Sequence, residues 1–402
     1  MSGEEYSPQS EAELARLIDS CATRGVTLDI VGGGTRPVGN DVHARARLRT
    51  GRLSGIKLYE PASLTMIVRA GTPHAEVKSA LAAENQHLAF EPADWTQMLG
   101  TKGHSTVGGI AAAGVSGPRR FQAGAARDAL IGVRFVTGGG EIAKSGGRVM
   151  KNVTGYDLTK LMCGSWGTLA VLTELSFKVA PKPEAAATVR IHGCDEASGV
   201  ALLGRAAASP YDISGAAFVA DARAKAALIR VEGFEASVRY RSEQLKALLG
   251  KSAPERADIE IVVGEAANRG VWQRIRDVAA FAKKPGSVWR LSVRPSRSVE
   301  IVAALRREYE VEAVYDWAGG LVWLLLREPG PVGVTLIRSL VDKAGGHATL
   351  MRADGNFGSV PVFHPQSPAL GALAAQLRAK FDPSGILNPG RMAPLALSRR
   401  AS

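Results

Sequence analysis

The chain has 402 residues and a formal net charge of +12, with 46% hydrophobic and 22% charged residues, which is ordinary globular composition with room for two or three domains. No apolar run reaches the roughly 18 residues of a membrane span, and the polar, acidic start lacks the layout of a signal peptide; both point to a soluble, cytoplasmic protein. Cys21, Cys163 and Cys194 lie far apart with no C-x-x-C spacing, which argues against a zinc site or a self-contained iron–sulfur cluster.

The basic residues are dispersed, with few interleaved aromatics. That argues against nucleic acid and for acidic small molecules, an acidic partner or anionic lipid. Glu11 to Arg24 places Leu14, Leu17, Ile18 and Cys21 at helical spacing and stops at Gly25. A short strand, Val26 to Val31, runs into Gly32-Gly33-Gly34-Thr35-Arg36. Three glycines free the backbone and let consecutive N–H groups approach an anion, as in a phosphate nest; the same composition serves a plain tight turn. Pro37 and the residues around it separate these glycines from any helix, so the spacing is not that of a Rossmann fingerprint.

Strands are expected over Ile56–Tyr59 and Thr65–Ala70, followed by Gly71-Thr72-Pro73 and a helix from Ala75 to Glu84. Thr106-Val107-Gly108-Gly109 then opens a small-residue helix through Gly114, whose start admits a ligand or another backbone. Ala129–Thr137 and Ile142–Lys144 form a hairpin around Gly138-Gly139-Gly140. A further strand reaches Val179, and Pro181 and Pro183 mark a boundary. Beyond it the pattern strand–helix–strand–strand–helix occurs twice, over 188–249 and 288–344, which predicts an antiparallel sheet backed by helices.

The ordered set Gly32-Gly33-Gly34-Thr35, Gly71-Thr72-Pro73, Thr106–Gly109, Gly155-Tyr156-Asp157-Leu158 and Gly167-Thr168-Leu169-Ala170-Val171 resembles the FAD-linked oxidases with a PCMH-type, vanillyl-alcohol-oxidase-like flavin domain. Ser116-Gly117-Pro118-Arg119-Arg120, Val149-Met150-Lys151-Asn152 and the closing Phe381–Met392 look most like the FAD-binding E subunits of glycolate oxidases. The resemblance implies an α+β fold: a two-subdomain PCMH-type FAD-binding domain over 1–182, an α+β cap domain with an antiparallel sheet over 183–355, and a segment, 356–402, returning to the flavin domain. It implies non-covalent FAD held by Gly32, Gly33, Gly34, Thr35, Arg36, Gly71, Thr72, Pro92, Thr106, Val107, Gly108, Gly109, Gly114, Ser116, Gly167 and Val171. The nearest histidine to the glycine turn along the chain is His43.

Oxidation of a 2-hydroxy acid by flavin needs a cation for the carboxylate and a base for the hydroxyl proton. Arg119 and Arg120 are the candidate charges. His104, His347 and His364 are isolated, and Tyr156-Asp157 reads as an aromatic anchor and a helix cap. Catalytic relatives carry Glu and Gly at the positions of Trp166 and Ala170, and a metal-binding His-x-Gly-Asp-Gly-Asn-x-His where this chain has Met351-Arg352-Ala353-Asp354-Gly355-Asn356-Phe357-Gly358. The resemblance thus implies an FAD subunit of a glycolate oxidase complex. A catalytic flavin subunit and an iron–sulfur subunit are its implied partners, with membrane attachment peripheral, at the inner face, and only through them. A non-catalytic assembly or relay subunit, or a stand-alone FAD oxidase of another alcohol, are the alternatives.

Overall fold

The structure is a computed structural model and describes residues 4–147, 155–220, 225–354 and 360–393. Strand β1 (Glu4–Tyr6) precedes helix α1 (Glu11–Arg24), whose start is capped by Ser10 and which buries Leu14, Ile18 and Cys21. Gly25 ends α1 at φ 63, and the Val26 N–H donates back to the Cys21 carbonyl at 2.8 Å. This closure delays the next strand, so β2 covers Leu28–Val31 rather than starting at Val26. Strand β3 (Ala46–Arg49) pairs in parallel with both β1 and β2. The C-terminal segment extends this sheet: the Leu28 N–H donates to the Ile386 carbonyl at 2.8 Å, and the Asn388 N–H donates to the Leu28 carbonyl at 3.0 Å.

A second, antiparallel sheet follows the order β4-β5-β8-β6-β7. Its members are β4 (Ile56–Glu60), β5 (Thr65–Arg69), β6 (Leu130–Thr137), β7 (Ile142–Gly146) and β8 (Ala170–Lys178). Helices α2 (His74–Ala83) and α3 (Val107–Ala113) pack against it, enclosing Met66, Val68, Val77, Ile110, Phe135, Leu175 and Phe177. Each such fully buried side chain contributes about 1.5–3 kcal/mol of transfer free energy. Thr106 caps α3 by accepting from the Gly109 N–H at 3.2 Å.

The third sheet has eight strands. Its first half is β9 (Ala185–His192), α4 (Glu196–Ala207), β10 (Ile213–Ala220), β11 (Lys225–Gly233), α5 (Glu235–Gly250) and β12 (Asp258–Val263). Helix α6 (Glu265–Arg276) leads to the second half: β13 (Ser287–Ser292), α7 (Pro295–Leu305), β14 (Val311–Asp316), β15 (Leu321–Leu326), α8 (Val334–Lys343) and β16 (His347–Arg352). The order β12-β9-β11-β10-β14-β15-β13-β16 is two split βαββαβ units fused through β10 and β14, where Phe218 faces Tyr315. The sequence pattern therefore needs a fourth strand in each unit and α6 between them. Helix α9 (Pro368–Phe381) follows and buries no residue.

One face of the large sheet packs on its own helices through Trp289, Leu291, Tyr315 and Leu324. The alternate positions Val288, Val314, Trp323 and Leu325 join the core of the five-stranded sheet. Buried ion pairs cross that boundary in both directions. Arg230 on β11 donates to both oxygens of Glu91 at 2.9 Å each, and Arg119 donates to Glu232 on β11 at 2.8 Å.

Candidate functional site

The turn after β2 leaves an unpaired row of donors. Among the described residues, the backbone N–H groups of Gly32, Gly33, Gly34, Thr35 and Arg36 donate to no protein acceptor. They stand at the edge of a cavity of about 480 Å³. A Cβ on Gly33 would lie 1.6 Å from the His104 carbonyl oxygen, one on Gly32 would lie 2.5 Å from Thr106 Oγ1, and Gly34 adopts φ 69. Each glycine thus has its own steric reason. The sequence reading of a nest for an anion fits this geometry better than a turn closed by its own hydrogen bonds.

Arg36 supplies positive charge beside these donors. It donates to Ser105 Oγ and to the Ala93 carbonyl, both at 2.7 Å, and leans on the Trp95 ring at 5.8 Å. Among the described residues no carboxylate forms an ion pair with it, and burial pulls its pKa down to about 10. Across the cavity Arg391 and Arg47 both reach Asp29. The cavity continues between small residues: Ala70, Gly108, Gly109, Ala112, Ala113 and Ala170. Trp166 closes one side with φ 53 and its ring 5.5 Å from Phe363. Asn388 fixes the wall below, donating to the Trp166 carbonyl at 2.8 Å and accepting from the Ile30 N–H at 2.7 Å.

Of the residues expected to hold cofactor, Gly32, Gly33, Gly34, Thr35, Arg36, Thr106, Gly108, Gly109, Gly167 and Val171 line this cavity. Gly71, Thr72, Pro92, Val107, Gly114 and Ser116 do not. A Cβ on Gly71 would meet the Thr50 carbonyl at 2.1 Å, and Thr72 Oγ1 donates to the Arg69 carbonyl at 2.7 Å. Val107 is core, Pro92 is buried, Gly114 ends α3 at φ 61, and Ser116 Oγ accepts from the Ala126 N–H at 2.9 Å. These positions build the frame around the site. The close approach at the start of α3 is by another backbone, since a Cβ on Gly108 would lie 2.7 Å from the Ala70 carbonyl oxygen.

Arg119 is not a free cation: besides Glu232, it lies 3.6 Å from Glu91 and 3.4 Å from the His87 ring. Its backbone N–H also holds Glu91, at 2.9 Å. Arg120 is exposed and stacks on the Trp317 ring at 4.3 Å. Sequence reasoning missed the residue that meets it there. Arg290, on β13, lies 5.3 Å from the same ring and 6.0 Å from Trp323. Among the described residues the Arg290 guanidinium makes no hydrogen bond or ion pair; burial, and then the nearby Arg120, lower its pKa to about 10. Two unpaired guanidiniums around one indole form a place that an anion would stabilise. Its neighbour Asp316 is buried, and Trp323 meets Trp95 edge-on at 5.6 Å, which joins this patch to Arg36.

Among the described residues Tyr156 is not an anchor, being 91% exposed, whereas Asp157 does cap the next helix, accepting from the Lys160 N–H at 3.1 Å. His104 is exposed, and only its backbone abuts the glycine turn. Asp354 accepts from the Gly286 N–H at 2.6 Å, and Met351 is buried in the core shared with the five-stranded sheet. Val149–Asn152 and the stretch from Gly355 to Gly358 lie outside the described residues.

Comparison with known proteins agrees with the cavity. The FAD binding domain family matches residues 6–146. The chain is 36% identical to glycolate oxidase subunit GlcE of Escherichia coli (strain K12) over 84% of each chain. It is 31% identical to glycolate oxidase subunit GlcD of Bacillus subtilis (strain 168) over 45% of this chain and 38% of that one. Among solved structures, an alkyldihydroxyacetonephosphate synthase superposes with a TM-score of 0.68 at 16% identity, covering 96% of this chain and 76% of the other, a likeness of fold.

Proposed function

The chain belongs to the glycolate oxidase E-subunit family of FAD-linked oxidoreductases, and from that membership we propose that it is the FAD-holding subunit of a complex oxidising glycolate or a similar 2-hydroxy acid. The observation that carries this reading is the row of unpaired N–H groups from Gly32 to Arg36 over the cavity. They and the Arg36 guanidinium suit the pyrophosphate of FAD. The slot between Ala70, Gly108, Gly109, Ala112 and Ala170 suits a flat ring system, with Trp166, Gly167 and Val171 at its rim. Bound FAD supplies the hydride acceptor. Neither His43 nor His104 lines the cavity, which favours non-covalent binding.

In this reading residues 1–182 and 356–402 make the flavin part, and residues 183–355 cover it. Arg290 and Arg120 take the substrate carboxylate, since among the described residues neither guanidinium forms an ion pair and both stack on the Trp317 ring. Electrons leave to an iron–sulfur subunit because this chain has no cysteine cluster of its own. Among the described residues no helix is long and apolar enough to cross a membrane, so membrane attachment in this reading comes through partners. Deleting this subunit is expected to reduce glycolate-dependent dye reduction by the complex to background. Full activity without it would overturn the proposal. A relay role without chemistry is favoured by Met351 and Gly358, which stand where catalytic relatives carry metal-binding histidines; in that case the flavin is bound and no 2-hydroxy acid reduces it.

A further inference from the structure

We infer that Asp316 accepts the proton of the substrate hydroxyl, working beside Arg290 on the side of the eight-stranded sheet that packs against the five-stranded sheet. The inference rests on the 2-hydroxy acid reading above.

The register places it there. Val314 on β14 faces Trp323 on β15, and Trp323 faces Arg290 on β13. Val314 and Trp323 pack into the core shared with the five-stranded sheet, whereas Ala313 and Tyr315 pack on the helices behind. Alternation puts Asp316 on the same side as Val314, one step beyond the Val314–Trp323–Arg290 row. The chain there is strained: Trp317, Ala318 and Gly319 take φ 52, 56 and 94 in succession. Trp317 is held from the opposite side by its Nε1–H, which donates to the Gly117 carbonyl at 2.9 Å. Three consecutive left-handed residues persist where the surroundings over-determine them, and such strain concentrates at working sites.

The carboxyl group is under-committed. Asp316 is 3% exposed. Its Oδ1 accepts from the Trp317 N–H at 2.7 Å, and among the described residues Oδ2 accepts from nothing. The guanidiniums nearby do not neutralise it directly. Arg230 is spent bidentately on Glu91, and Arg290 is stacked between indoles. A buried carboxylate with a free oxygen, next to an unpaired arginine, is the arrangement a hydroxy acid needs: charge for the carboxylate and an acceptor for the hydroxyl.

The chemistry balances. The hydroxyl O–H bond breaks and its proton passes to Asp316 Oδ2. The C–H bond breaks and the C–O bond becomes the carbonyl of the 2-oxo acid; FAD held by Gly32 to Arg36 would supply the two-electron acceptor for the hydride. Burial, with Glu91 adding repulsion, raises Asp316 to about pKa 7, against the pull of its backbone hydrogen bond, Arg230 and Arg290. Arg120, across the Trp317 ring, and His347, at the end of β16, are the other titratable groups around this patch. The base is therefore the ionised form present above about pH 7.

The test uses the full-length, FAD-loaded chain without oxygen and reads two quantities from the flavin spectrum: affinity for oxalate, and the rate of bleaching by glycolate between about pH 5 and about pH 9. Asp316→Asn keeps the Trp317 hydrogen bond and is expected to bind oxalate within about threefold of the parent while bleaching about 100-fold more slowly or worse. The parent rate should climb about tenfold per pH unit up to about 7 and then level, with the variant flat. Arg290→Met should lose oxalate affinity by about tenfold or more. Asp316→Asn that bleaches at the parent rate with the parent pH profile would overturn the assignment. So would a parent that binds oxalate yet is not bleached by glycolate. A parent that binds no oxalate would instead overturn the 2-hydroxy acid reading itself, and this inference with it.

Discussion

At the scale of single residues, the glycine turn shows what the sequence made legible. Gly32, Gly33 and Gly34 stand together in the chain, and their purpose is local: one positive φ and two close approaches that a Cβ forbids. Gly33→Ala is expected to lower FAD retention at least about tenfold, because the new methyl must displace the His104 carbonyl from the nest. Gly51→Ala, where a Cβ meets nothing, should retain FAD like the parent. The ratio of flavin to protein absorbance after gel filtration reads both. Arg290, Asp316 and Glu91 were not legible in this way. Nothing beside them in the chain marks them, and what makes them notable is supplied by residues far away. Trp317 reaches Arg290 across the intervening strand β15, and Arg230 reaches Glu91 across 139 positions. Arg119 misled for the same reason: its neighbours in sequence are glycine, proline and arginine, but its neighbours in space are Glu91 and Glu232.

At the scale of elements, the alternating strands and amphipathic helices were readable from period alone, including both halves of the large sheet. The fourth strand of each half was not. Asp258–Val263 lies at the sheet edge with Val263 70% exposed, and its membership is decided by pairing with Ala187–His192 rather than by its own burial. The contact between the five-stranded and eight-stranded sheets is likewise set by long-range partners. Glu91 sits there with its carboxyl held near pKa 2, where Arg230 and Arg119 outweigh burial. Its folded value lies below the ordinary 4.5, so its stabilisation is fully present above pH 4.5 and lost as pH falls towards 2. The shift corresponds to about 3 kcal/mol. Glu91→Gln is expected to destabilise by a similar amount at neutral pH, leaving Arg230 buried beside a neutral amide. Urea titrations from about pH 7 to about pH 3 check the sign, because the difference between parent and variant should shrink with acidification. A constant difference across that range would contradict the ion-pair account.

At the scale of the whole molecule, an early segment and a late segment of the chain meet at one cavity. The first β-strands carry the glycine turn, and Ile386–Asn388 pairs alongside them, while Asn388 ties that pairing to Trp166. The eight-stranded sheet packs on the five-stranded sheet and carries Arg290, Asp316 and the indoles of Trp317 and Trp323, which do not themselves line the cavity. The fold therefore places an anion nest and a cationic, aromatic patch on one continuous path from Arg36 through Trp95 and Trp323 to Arg290. That layout is what a flavin and a small hydroxy acid require together. The most direct measurement is an anaerobic absorbance spectrum of the purified chain before and after glycolate, followed by acid precipitation. The account predicts a flavin spectrum that bleaches and a flavin that stays in the supernatant. A protein without flavin, or a flavin that glycolate leaves unchanged, would contradict it.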